Sequence, residues 1–233
     1  MRFTKYCLGL SLCVVGVLSC KKDNYDAPNS TLSGRLLYGG DSIGLEKDQV
    51  PFELYQNGFG KVGALSATFT PEGKYSALLF DGEYRMIIPA NQGPFLSKVN
   101  GSGVPDSLSI TLNGNQTLDI EVTPFYMIRN TQIAASGGNA VATFGLEKIV
   151  TDANAKDVES VALYINKGQF VSPANNIALT ELTVDSTTDM SNITVSVAIP
   201  GITPTQNYVF ARVGLKINGV EDRMFSPLVK LTF

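Results

Sequence analysis

The chain has 233 residues, 44% of them hydrophobic, and carries 18 basic against 21 acidic side chains for a net charge of −3, with no histidine, no tryptophan and three cysteines. Without histidine there is no serine triad of the usual kind, no histidine-bearing metal site and no imidazole pH sensor. The mild acidity and the lack of any Lys/Arg cluster speak against nucleic acid as a partner, while carboxylate-only chemistry such as glycoside hydrolysis by paired acids survives this filter.

Arg2 and Lys5 precede an uncharged stretch, residues 6–19, which has the n-region and h-region of a secretory signal. Its fourteen residues are too few to span a bilayer, which takes roughly 20. The stretch closes on Val17-Leu18-Ser19-Cys20, which resembles a bacterial lipobox. Residues 1–19 are therefore expected to be a signal peptide, and Cys20 to be the acylated first residue of the mature protein. Cys7 and Cys13 would leave with the signal, so no disulfide and no thiol nucleophile is expected. Without Arg2 and Lys5 the basic to acidic balance is 16 to 21. Residues 20–31 are polar and aperiodic, which suits a tether from lipid to the first domain. Asp23 and Asp26, soon after Cys20, resemble in part the export tag of Bacteroidetes surface lipoproteins.

Residues 32–123 show short runs of period two. Val50, Phe52 and Leu54 share one face, with Glu53 and Tyr55 opposite. Tyr84, Met86 and Ile88 repeat the pattern, as do Leu108, Ile110 and Leu112, then Leu118, Ile120 and Val122. Asn57-Gly58, Glu72-Gly73, Asp81-Gly82 and Asn113-Gly114 punctuate them with residues that tolerate the positive φ of tight turns. Several short strands at this spacing predict a sandwich or barrel. Ser33-Gly34-Arg35-Leu36, with Gly73-Lys74-Tyr75 and Asp81-Gly82-Glu83-Tyr84, resembles the transthyretin-like, carboxypeptidase-regulatory type of β-sandwich. That resemblance implies a fold and brings no catalytic residue.

Pro124 marks a seam, after which alternation restarts at residues 141–146, 158–165, 193–199, 209–217 and 227–233. The restart predicts a second, independent sandwich over residues 124–233. The segment 199–204 leading into Tyr208 is similar to the fibronectin type III approach to its sixth strand, which implies a corner tyrosine whose hydroxyl bonds back to the turn. The phase is at odds with this. Val209, Ala211, Val213, Leu215 and Ile217 share a face, leaving Tyr208 on the other, so either a bulge intervenes or Tyr208 is not the corner.

The fold class expected is thus all-β, two tandem β-sandwiches, transthyretin-like then immunoglobulin/fibronectin type III-like. Lipobox and domain order together resemble two-domain outer-membrane lipoproteins of Bacteroidetes associated with starch-utilisation-type polysaccharide uptake. The resemblance implies a cell-surface, non-enzymatic role in carbohydrate binding, or as accessory to an outer-membrane transporter complex. A spacer, interaction or adhesion module without a glycan site of its own is the alternative. Sugar sites need aromatic faces flanked by amide and carboxylate groups. Strand parity and loop position single out Tyr38, Tyr55, Asn57, Phe59 and Phe95. Asp81/Glu83, Asp119/Glu121 and Glu221/Asp222 are expected to be solvated surface acids rather than a catalytic pair. Asp185 and Asp189 lack EF-hand spacing, and no catalytic residue, metal or cofactor is expected.

Overall fold

The computed structural model describes residues 26–56, 58 and 63–233, and no helix occurs among them. In chain order the first domain runs β1 (Ser30–Tyr38), β2 (Asp41–Ser42), β3 (Pro51–Gln56), β4 (Ala64–Thr68), β5 (Lys74–Leu79), β6 (Gly82–Ile87), β7 (Leu108–Leu112), β8 (Gln116–Thr117) and β9 (Ile120–Glu121). One sheet is β2-β1-β5, with β8 and β9 pairing parallel to the other edge of β1; the facing sheet is β4-β3-β6-β7. Alternation dictates the packing: Leu32 and Leu36 from β1 meet Phe52 and Leu54 from β3 in the core.

The glycine–tyrosine pattern has a specific physical role here. Gly73, at φ 71°, turns the chain into β5 and delivers Tyr75 to the core, where its ring packs edge-on against Phe52 and Phe69 with centroids 5.4 and 5.7 Å away. The Tyr75 hydroxyl donates to the Leu118 carbonyl at 2.7 Å. Gly34 makes that approach possible, since a Cβ there would stand 1.9 Å from the same carbonyl oxygen and 2.9 Å from the Tyr75 ring. Tyr84 is likewise buried and donates to the Phe80 carbonyl at 2.8 Å, across the Asp81-Gly82 turn.

The second domain runs β10 (Tyr126–Ser136), β11 (Asn139–Lys148), β12 (Val158–Asn166), β13 (Ala178–Thr183), β14 (Ile193–Ala198), β15 (Tyr208–Ile217), β16 (Met224–Phe225) and β17 (Val229–Thr232). Its sheets are β10-β11-β14 and β13-β12-β15, with β16 and β17 both pairing β15. This is the three-plus-four arrangement of a fibronectin type III-like sandwich. The expected tyrosine corner is not there. Register is unbroken along the start of β15, so Val209, Ala211, Val213, Leu215 and Ile217 keep the inner face and Tyr208 points outward. Lys230 Nζ sits 4.0 Å from the Tyr208 ring centroid, Phe210 packs edge-on at 5.8 Å, and the Tyr208 hydroxyl bonds none of the described residues. Tyr126, fully buried at the start of β10, does comparable anchoring work by donating to the Lys156 carbonyl at 2.9 Å.

The two sandwiches meet at a packed seam. One continuous hydrophobic core runs through both. Ile43 and Leu45 are fully buried, and between them Gly44 bridges Phe225, whose N–H donates to the Gly44 carbonyl at 3.0 Å. A Cβ on Gly44 would stand 2.1 Å from the Phe225 oxygen. Gly93 N–H donates to Asp222 Oδ2 at 2.7 Å, and Arg129 pairs with Asp41 across the seam.

Candidate functional site

Of the residues singled out by pattern, Cys20, Asn57 and Phe59 lie outside the described residues. Tyr38 ends β1, partly buried against the core. Phe95 is only 4% exposed, and its ring folds under Gly93, where a Cβ would stand 2.4 Å from it. Gly93 and Pro94 turn this segment inward, and what remains open of Phe95 lines an apolar recess of about 130 Å³ with Met86, Ile88 and Leu96. Tyr38 and Tyr55 sit on different sheets. Tyr38, Tyr55 and Phe95, the three of them among the described residues, line no common recess.

Tyr55 does line a recess. It sits on β3 with its side chain on the outer face, opposite the buried Phe52 and Leu54. Its cross-strand partner is Arg85 on β6, itself opposite Ser109 on β7. Such pairs on one face bring side chains within reach of each other. Glu53, two residues earlier on the same face, accepts the Tyr55 hydroxyl at 2.7 Å and thereby fixes the ring. This hydrogen bond, aided by desolvation, raises the phenol above its ordinary pKa, so it remains a neutral donor.

The other wall is the loop before β7. Val99 bridges Pro105, Asn100 N–H donates to the Val104 carbonyl at 2.8 Å, and Asn100 Oδ1 accepts from Ser102 and Val104 N–H groups at 3.0 and 3.1 Å. With its oxygen so used, the Asn100 amide nitrogen has no partner among the described residues, and neither has the Arg85 guanidinium. Together with Asp106 they surround the Tyr55 ring in an open recess of about 410 Å³. One aromatic, two unpaired donors and one carboxylate acceptor suit a polyhydroxylated ligand that stacks and exchanges hydrogen bonds. Parity could have indicated Arg85, which flanks Tyr84 on the outer face; Asn100 and Asp106 come from an irregular loop with no periodic signal.

The surface acids mostly tie the backbone together. Asp81 accepts from the Ser30 hydroxyl and the Gly114 N–H, and both bonds hold its carboxyl below the usual range. Asp119 accepts from the Arg35 guanidinium and backbone N–H, each at 2.9 Å, and is held low chiefly by the guanidinium bond. Glu121 caps Gly39 N–H at 2.6 Å. Asp222, expected on the surface, is buried at the seam. Asp185 and Asp189 each fold onto hydroxyls and N–H groups two residues ahead, which lowers both. Among the described residues no group of three or more acidic, histidine or cysteine side chains could hold a metal ion.

Fold and recess define a two-domain all-β protein in which a transthyretin-like sandwich packs on a fibronectin-like one. The chain belongs to the DUF3823 family. Residues 30–123 match the "Protein of unknown function (DUF3823) N-terminal domain" and residues 126–230 the "Domain of unknown function (DUF3823_C)". The structure is similar to that of a DUF3823 family protein from Parabacteroides merdae ATCC 43184, at 33% identity, covering 89% of this chain and 100% of that one with a TM-score of 0.76. A DUF3823 family protein from Bacteroides ovatus ATCC 8483 is 29% identical, covering 88% and 99%, with a TM-score of 0.77. The fold is shared also, at 15% identity over 88% and 100% and a TM-score of 0.65, with a "putative carbohydrate binding protein" from Bacteroides uniformis ATCC 8492. No curated protein matches the sequence.

Proposed function

We propose that the protein is a non-enzymatic, lipid-anchored cell-surface protein of the outer membrane, and that it holds oligosaccharide across the Tyr55 recess as an accessory to polysaccharide uptake. The observation that carries the reading is the pinned ring of Tyr55 set among donors of Arg85 and Asn100 that have no partner among the described residues. Its hydrogen bond to Glu53 removes the freedom a stacking ring would otherwise lose on binding, so the recess is prepared for a sugar face. The Bacteroides uniformis relative adds support at the level of fold. The Val17-Leu18-Ser19-Cys20 run supports the anchor, and acylation at Cys20 with more than one chain holds a protein to a bilayer without any spanning segment. No helix among the described residues is long and apolar enough to cross a membrane.

Affinity electrophoresis against a panel of neutral polysaccharides tests the binding. Retardation by at least one polysaccharide is expected, and Tyr55→Ala should abolish it without lowering Tm by more than a few degrees, since the side chain is on the outer face. Migration unaffected by every polysaccharide, or retardation indifferent to Tyr55→Ala, would overturn the reading. For the anchor, Cys20→Ser should move the protein from the membrane fraction to the soluble one, and a variant that stayed with the membranes through an alkaline wash would refute it.

A further inference from the structure

The outer face of β12 and β15 is where the second sandwich meets the first, and it carries a buried cation with too few partners. Arg212 lies on β15 among the outward residues, opposite Tyr164 on β12, and is only 4% exposed. Its guanidinium stacks on the Phe225 ring, with Cζ 4.1 Å from the centroid. Nη2 donates to the Leu45 carbonyl at 3.1 Å, and that is its one hydrogen bond to the described residues. Nε is buried and unanswered. No described carboxylate forms an ion pair with it, although Glu72 and Glu46 act on it from further away. Burial pushes the guanidinium down to about 10, which still leaves it charged at neutral pH. A largely buried charge with its Nε unanswered is costly unless something pairs with the rest of the guanidinium.

Two recesses of about 430 and 390 Å³ lie at this seam and share Pro71, Glu72, Arg212 and Leu228 as walls. At the mouth of the larger stands Phe170, 57% exposed, with Lys47 Nζ 4.9 Å from its ring centroid. The segment carrying Phe170 is pinned, because Asn166 Nδ2 donates to the Phe170 and Asn175 carbonyls at 2.7 and 3.2 Å. Gln169 lines the same recess. The cleft thus holds an aromatic face, an amide, Lys47 in its ion pair with Asp48, and the fixed planar cation of Arg212 with Glu72 nearby, and its two cations are the groups that can meet an anion carried on a ring.

We infer that the seam between the two sandwiches binds an acidic sugar, with Phe170 taking the ring face, Lys47 closing over it and Arg212 pairing with the anionic group on the ring. The planar fork of arginine matches the geometry of a carboxylate, which favours a uronic acid. The carbohydrate class rests on the reading above; the site itself does not, since Tyr55 is on the outer face of the other sheet.

Titration calorimetry on the full chain with trigalacturonate, its fully methyl-esterified form and a sulfated galactose oligomer tests the inference. Trigalacturonate should bind, its methyl ester about tenfold more weakly or worse, and the affinity of the acid should fall as salt is raised. Because Arg212→Gln could simply unfold the seam, the decisive variants are Phe170→Ala and Lys47→Ala at the mouth, each expected to weaken the acid about fivefold or more. Arg212→Lys, which keeps charge and loses the fork, should narrow the gap between acid and ester. Binding of the sulfated oligomer with the same dependence on Phe170 and Lys47 would assign a sulfate ester as the source of the anion. Equal affinity for acid and ester, binding by neither charged oligomer, indifference to both mouth variants, or loss of acid binding in Tyr55→Ala would each overturn it. Binding of neutral sugars is read through Tyr55→Ala alone, so either site can fail without the other.

Discussion

A phenol placed in an apolar core must find an acceptor, and three of the tyrosines in this chain do so on a carbonyl. Tyr75 bonds Leu118, Tyr84 bonds Phe80 and Tyr126 bonds Lys156. Each therefore ties one strand to a turn or strand that alternation alone would leave loose. Desolvation correspondingly pushes the Tyr75 phenol up to about 12. Tyr84→Phe keeps the ring and removes its bond to the Phe80 carbonyl, so a loss of about 1 kcal/mol is expected from denaturant unfolding. Tyr208→Phe should cost nothing measurable, because that hydroxyl lies outside the core and bonds no described residue. A Tyr84 variant as stable as the parent, or a Tyr208 variant that lost as much, would reverse these assignments. Gly34→Ala should be worse than either phenylalanine substitution, since its methyl would collide with backbone that cannot swing away; a loss of about 2 kcal/mol or more is expected. The glycine–tyrosine spacing was legible in the sequence because it serves the fold locally. The partner of each hydroxyl was not, because Leu118 lies 43 residues from Tyr75.

Strands with one wet face announce themselves, and the ones that do not share that environment stay silent. β3, β6, β7, β11, β14 and β15 follow the apolar alternation of the sequence closely. β13 is missed because it is an edge strand with most of both faces in water, so it has no reason to alternate. β10 is missed because its register shifts between Arg129 and Gln132, where Asn130 takes φ 52°, and the shift breaks the period. Between elements, carboxylates do what alternation cannot. Asp81 joins the start of β1 to the turns at residues 81–82 and 113–115, and Asp119 clasps β1 to the parallel β8 and β9 segment. Both carboxyls are held below their ordinary pKa. The stability they supply is therefore present above the unfolded value of about 4 and is lost as pH falls through the folded one. Melting temperatures measured from pH 7 to pH 2 should fall less steeply for Asp81→Asn than for the parent, starting from a lower value at pH 7. Parallel curves would show that the Ser30 and Gly114 bonds contribute nothing that protonation removes.

For the molecule as a whole, the outside of the second sandwich is the inside of the protein. Arg212 and Phe225 occupy outward positions on their strands and are nevertheless buried, where Leu45 and Gly44 of the first sandwich reach them, while Tyr164 on the same face packs with Val171 and Phe225 of its own domain. Sequence pattern reports which face of a strand is dry within its own domain, and it cannot say that a second domain will dry the other face. That is why the alternation around Arg212, set between the buried Ala211 and Val213, announces the inner face of β15 and is silent about the seam on the other. Residues 124–233 expressed alone would uncover Phe225 and Arg212 and would leave the N–H of Phe225 without the Gly44 carbonyl. Calorimetry of the full chain should accordingly give a single cooperative transition, and the isolated second domain should melt lower than the full chain. Gly44→Val makes the same point without truncation, because its side chain would be driven into the Phe225 carbonyl and force the sandwiches apart. If the seam couples the two, that one substitution splits the transition in two and lowers both halves. A full chain that already melts in two well-separated steps, or a Gly44→Val protein that melts like the parent, would mean that the sandwiches only touch.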